Sequence, residues 1–169
     1  DHDWLVVRKK AGGSVAESRL LSALIVYKER PSPKMPARLT DAKVALIGST
    51  LDPLTYNNDQ TMREYEVNTP SQLREIIKGE QDFNRGVVKH VLRAGAAVLF
   101  CQKRVSKAIM KQFADAGILA TELVSQEDML RLEKVTGARI VTKVDSLASD
   151  DLGVARLVEF RKISGDEML

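Results

Sequence analysis

The residues of this chain that could do chemistry are few and scattered. A cysteine works as a nucleophile only where a base or a nearby positive charge lowers its pKa. Cys101 is the single cysteine; Lys103 is close to it in sequence, but neither histidine, His2 or His90, shares a motif with it. An inert, buried thiol is the better reading. One cysteine and two distant histidines also give no metal-ligand spacing, so no metal is expected. Asp150-Asp151 could pair for acid–base work, yet between Ser149 and Leu152-Gly153 they read as a helix start or a turn. Ser14, Ser49 and Ser106 have no GxSxG context. Gly12-Gly13 lacks the strand–helix flanks of a phosphate-cradling loop, and neither a GxxxxGKS/T nor a GxGxxG pattern occurs. No catalytic residue is assigned, and no cofactor is expected in this domain.

What is left is the chemistry of surfaces. Wound as a helix, Val105–Ala116 places Val105, Ala108, Ile109, Phe113 and Ala116 on one apolar face, which should dock on a sheet. Lys103, Lys107 and Lys111 then fall opposite, with Met110 among them. A methionine in a basic setting is either an ordinary exposed apolar residue or a flexible, polarizable contact for varied partners. A second candidate lies earlier. Leu73, Ile76, Ile77, Phe83, Val87, Val88, Val91 and Leu92 recur at helical spacing. Val87–Leu92 leads into a strand and should be core. Leu73–Phe83 mixes Ile76-Ile77 with Arg74, Glu75 and Lys78, and could project and bury its apolar side only against a partner. The candidate substrate-binding residues are therefore Ile76, Ile77, Phe83, Lys107, Met110 and Lys111.

These residues must be held by a scaffold. At 169 residues the chain is one domain by length, and 44% hydrophobic with 29% charged residues is ordinary for a globular protein. Net charge is +3 and aromatics are 5%, too balanced and too poor in stacking rings for a dedicated nucleic-acid binder. The sparing use of cysteine suits a reducing, cytoplasmic setting. No apolar run approaches the ~18 residues of a membrane span. Both ends, Asp1–Asp3 before strand-like Leu5–Val7 and Val154–Ile163 running into Ser164–Leu169, are expected to continue into a longer protein.

Along the chain, Trp4–Lys10 reads as a strand stopped by Gly12-Gly13-Ser14, and the second half of Glu17–Tyr27 as another. Pro31, Pro33 and Pro36 impose a loop. Lys43–Ile47 is a short buried strand, Leu51–Met62 a polar excursion, and Arg63–Val67 an edge strand. Thr69-Pro70-Ser71-Gln72 is a helix start, with threonine as cap and proline at the first helical position. The helix should reach Arg93, with a break or kink at Gly79 or Gly86, each costing about 1 kcal/mol relative to alanine. Strand Ala96–Cys101, helix Val105–Ala116 closed by Gly117, strand Ile118–Val124, a helix capped at Ser125 and ended by Gly137, and strand Arg139–Thr142 follow. This alternation predicts parallel crossovers on one sheet, a mixed α/β architecture.

Seven blocks, in order, resemble the apical domain of a group II chaperonin of the thermosome type. They are KKAGGS at Lys9–Ser14, Met35-Pro36 with Arg38, KVALI at Lys43–Ile47, the VNTPSQ helix start at Val67–Gln72, CQK at Cys101–Lys103, GILA at Gly117–Ala120 and TGARIVT at Thr136–Thr142. Two blocks depart from the family: SPKMP at Ser32–Pro36 stands for its HPGMP, and Arg104 for the glycine of CQKG. The resemblance implies a chaperonin apical-domain fold over residues 1–169, with mixed sheets, flanking helices and a helical protrusion within 51–93. It implies a non-catalytic module that captures non-native proteins and forms a built-in lid, partnered by other subunits of a double ring, with ATP and magnesium handled by an equatorial domain elsewhere. Neither nucleic acid nor membrane is expected as a partner. Two other readings are a small α/β nucleotide-binding enzyme domain and a basic nucleic-acid module.

Overall fold

In the computed structural model, the run Val44-Ala45-Leu46-Ile47 is wholly buried, as a strand must be when both faces of its sheet are covered. It ends strand β1 (Arg38–Ile47). The structure describes residues 7, 14–18, 20–53, 69–163 and 166–169. The expected strand at Trp4–Lys10 apart from Val7, that at Arg63–Val67, the Gly12-Gly13 turn and most of the Leu51–Met62 excursion lie outside them.

The last four residues of β1 pair in parallel with β2 (Val98–Cys101), and β2 pairs in parallel with β3 (Leu119–Thr121). On its other edge β1 meets two strands end to end. Leu46 and Ile47 pair in parallel with β4 (Ile140–Val141), and Arg38–Val44 run antiparallel to β5 (Gly153–Glu159). The order is β3-β2-β1-β4, with β5 also on β1. A separate hairpin joins β6 (Arg161–Ile163) to β7 (Asp166–Met168).

Three helices make the crossovers: α1 (Pro70–Ala94), α2 (Lys107–Asp115) and α3 (Gln126–Thr136). Parallel connections are right-handed. The steps β1 to β2 to β3 run one way across the sheet, so α1 and α2 share a face. The return from β3 to β4 puts α3 on the other. Accordingly α1 packs on α2, while α3 packs on β1 and β5.

Two expectations are corrected. The segment before Tyr27 forms no strand among the described residues: only buried Val26 finds a partner, exchanging backbone hydrogen bonds of 2.7 and 3.1 Å with Leu169. And α1 runs unbroken for 25 residues, about 37 Å at ~1.5 Å per residue, through both glycines. Neither Gly79 nor Gly86 has a neighbouring atom where a Cβ would stand, so nothing wedges the helix open there. A propensity loss of about 1 kcal/mol softens a capped, long helix without breaking it.

The TGARIVT block and the Asp150–Gly153 turn are joined physically. Gly137 closes α3 in the left-handed region at φ 73°, and the N–H of Arg139 then donates to the Asp151 carbonyl at 2.9 Å. The buried Asp151 carboxylate accepts from the Ala148 N–H at 3.1 Å and pairs with Arg139 at 3.3 Å, so the second aspartate is a turn cap. Gly153 starts β5 against this corner. A Cβ there would lie 2.5 Å from both the Ala138 nitrogen and the Thr136 carbonyl oxygen, which are backbone and cannot swing aside. Gly153→Ala should therefore lower unfolding free energy by ~2–3 kcal/mol, whereas Gly79→Ala, in open space on a helix, should raise it by ~0.5–1 kcal/mol. Urea unfolding of the two variants checks both signs.

Candidate functional site

The amino-terminal half of α1 begins at an exposed cap. Thr69 is extended, and its hydroxyl accepts the Gln72 N–H at 3.4 Å; Pro70 fills the first helical position. Full burial starts only later, at the polar Asn84 and then at Val87, Val88, Val91 and Ala94. Before that point Leu73 and Ile77, one turn apart, are 48% and 45% exposed. Ile76 is half-buried, and Phe83 is half-buried against the core. The helix thus divides near Phe83 into an open half and a core half. Farther on, the His90 imidazole lies 3.7 Å from the Asp145 carboxylate, tying the core half to the short turn Val144–Ser146.

Helix α2 is capped by Ser106, whose hydroxyl accepts the Ile109 N–H at 3.3 Å. Ile109, Phe113 and Ala114 are buried, and Met110 packs half-buried against the core. The docking face is therefore rotated from the expected one: Ala108 and Ala116 are exposed. Helix α1 packs beside α2, so α2 meets a helix as well as the sheet. Met110 is not stranded among the lysines. Lys103, Arg104, Lys107 and Lys111 are exposed, and among the described residues none of them forms an ion pair. Asp115, one turn beyond Lys111, is engaged by Lys34 Nζ at 2.9 Å. The hydrogen bond and charge of Lys34, helped by Lys111, hold this carboxyl below its ordinary range.

Two features escape a reading by residue type. Lys34 sits in the proline loop, far from α2 in sequence, and only the fold brings it to Asp115. Leu123 lies between β3 and α3 with φ 55° and is half-exposed; nothing in the sequence marks a leucine for the left-handed region. On the opposite side of the sheet, a groove of about 610 Å³ runs between residues 21–26, β5 and α3, lined by Leu24, Val26, Leu132, Leu157 and Met168.

Cys101 is fully buried, and its thiol donates to the Ser49 carbonyl at 3.2 Å. Burial pushes the thiol up from 9.0 to about 12, opposed by the Lys103 N–H and reinforced by Glu122. This suits an inert thiol, since a nucleophile needs the opposite shift.

The mixed α/β sheet with these crossovers and a long, half-open helix matches part of one class of protein, the group II chaperonins. The structure superposes on the open-state monomer of a group II chaperonin from Methanococcoides burtonii with TM-score 0.72 and 31% identity, over 95% of this chain and 33% of that one. The family model of the TCP-1/cpn60 chaperonins matches residues 1–169. Similar proteins include a thermosome subunit of Methanocaldococcus jannaschii (39% identical) and a thermosome beta subunit of Methanothermobacter thermautotrophicus (37%), each aligned over all of this chain and 31% of the relative. The chain belongs to the TCP-1/cpn60 chaperonin family, and it spans about a third of the length of the relatives it matches.

The Cys101 shift sets a sign. Unfolded chains release this proton near pH 9 and the folded one near pH 12. Between those values the unfolded state binds fewer protons, so stability is fully kept below about pH 9 and falls as pH rises toward 12. Denaturant midpoints measured upward from pH 8 should decline less steeply for Cys101→Ala than for the parent.

Proposed function

We propose that this chain is the apical domain of an ATP-dependent group II chaperonin subunit, a module that captures non-native proteins and contributes to a built-in lid. The observation that carries the reading is the division of α1. A helix capped at Thr69 and anchored by Val87, Val88 and Val91 keeps Leu73 and Ile77 in water over its first turns. Exposed apolar side chains on a rigid element are a means of capture, each contributing on the order of 1 kcal/mol when a half-exposed face is covered. The lysines of α2 add charge to the apolar contacts. In this reading residues 51–93 contain the protrusion.

The remaining parts of the proposal are supported by the resemblance to the family. Other subunits of a double ring are the partners, ATP and magnesium act in a separate equatorial domain, and the location is the cytoplasm. No helix among the described residues is long and apolar enough to cross a membrane. Among the described residues the parallel strands end in a buried thiol and in backbone hydrogen bonds such as Gly48 N–H to Val141 O at 2.8 Å, which supports capture over the nucleotide-binding enzyme reading.

The double change Ile76→Ser with Ile77→Ser should leave the melting temperature nearly unchanged, because neither side chain is core, and should weaken suppression of client aggregation about tenfold. Light scattering of a denatured client diluted into each protein reads this. Unchanged suppression contradicts α1 as a contact surface, and tight binding of ATP by the isolated chain favours the enzyme reading instead.

A further inference from the structure

Among the described residues, only Asp41 and Leu123 hold positive φ without being glycine, at 48° and 55°. Aspartate enters that region readily; leucine does so under strain. Burial does not offset the strain, since Leu123 is 52% exposed. Its neighbours enforce the conformation. The Leu123 N–H donates to the Lys103 carbonyl at 3.2 Å and the Val124 N–H to the Cys101 carbonyl at 3.0 Å, while Thr121 and Val124 on either side are buried. A strained, over-determined residue that presents an apolar side chain to water points to use rather than accident.

Its surroundings indicate the use. The bond to Lys103 sets Leu123 beside the start of a basic row. Lys103 and Arg104 lead into Lys107 and Lys111, which lie one turn apart on α2. The nearby acids are already engaged: Glu122 accepts the Val105 N–H at 2.7 Å, and Asp115 takes Lys34 at 2.9 Å. Among the described residues none of the four cations forms an ion pair, Lys111 acting on Asp115 only through its charge, so their donors are open to a partner. Lysines at i and i+4 of a helix are ~6 Å apart along its axis, close to the ~6.6 Å between alternate side chains of an extended strand. Carboxylates at alternate positions of an extended polypeptide therefore match the row.

We propose that Leu123 is an apolar anchor at the head of the Lys103–Lys111 row, and that together they form a subsite for extended acidic client segments that carry an apolar side chain. The proposal rests on the client-capture reading above and names the class of segment one part of that surface takes.

The probe is a fluorescent peptide of about 12 residues, ~40 Å extended, with one leucine followed by glutamates alternating with serines. Its controls replace the leucine by serine or the glutamates by lysine. Anisotropy is measured with the parent chain, with Leu123→Gly and with Lys107→Glu plus Lys111→Glu. Leu123→Gly should raise the melting temperature by about 2–4 °C through release of strain, yet bind the leucine peptide about fivefold more weakly while leaving the serine peptide unaffected. The double charge reversal should weaken the glutamate peptide by more than about tenfold and remove its salt dependence. Equal binding of the leucine peptide by parent and Leu123→Gly overturns the anchor. Indifference to charge reversal, or tighter binding of a single-stranded oligonucleotide of equal charge, overturns the acidic-segment assignment. Capture of a denatured client is followed in parallel. If the client is captured but the peptide results fail, this proposal falls alone; if no variant nor the parent captures the client, the reading beneath it falls as well.

Discussion

Strand β1 is the constraint on which the rest depends. It pairs with three strands, parallel to β2 on one edge and, on the other, parallel to β4 and antiparallel to β5. Its Val44–Ile47 segment is buried on both faces, so each of the three crossover helices must cover apolar surface. The steps outward through β2 and β3 place α1 and α2 together, and the return to β4 sends α3 to the other side. Adjacency of the long helix to the lysine-bearing helix is thus a consequence of strand order. It needs no specific contact between the two groups of candidate residues.

The same constraint explains why α1 has two characters. Only its carboxyl-terminal half, from Asn84 to Ala94, lies over buried structure. The first turns extend past it, with backbone hydrogen bonds, a threonine cap and a proline at the first position to hold them, and with Leu73 and Ile77 half-exposed. Propensity and capping contribute a few kcal/mol at most, and a free helix of a dozen residues would be marginal. Continuity with an anchored segment keeps the open half helical. Apolar side chains can then stay in water without collapsing onto the domain, which is what a capture surface requires.

Much of this was legible in the residues. Thr69-Pro70, Ser125, Gly117 and Gly137 mark helix ends by local chemistry, and each acts where its type predicts, whereas α2 starts two residues later than expected, at the Ser106 cap. The apolar run KVALI and the alternation after it give the parallel core. The seven blocks point to the family that the comparisons show. What was not legible depends on neighbours distant in sequence. Met110 packs half-buried against the core, on a side of α2 that its apolar spacing does not mark. Ile76 and Phe83 are less open than Ile77. Lys34 reaches Asp115 only through the fold, and the left-handed Leu123 is imposed by carbonyls of Cys101 and Lys103. The strand expected before Tyr27 reduces to Val26, since only that residue meets a backbone partner in Leu169. The glycines of α1 mislead in the other direction, because a break needs a wedge as well as a weak residue.

The central claim is that the open half of α1 and the basic side of α2 are where non-native polypeptide is held. Hydrogen–deuterium exchange of the chain with and without a chemically unfolded client tests it most directly. The account predicts slowed exchange at 70–83 and 103–123, with α3 and β5 unchanged. Protection confined to the groove between residues 21–26, β5 and α3, or none anywhere at saturating client, would contradict it.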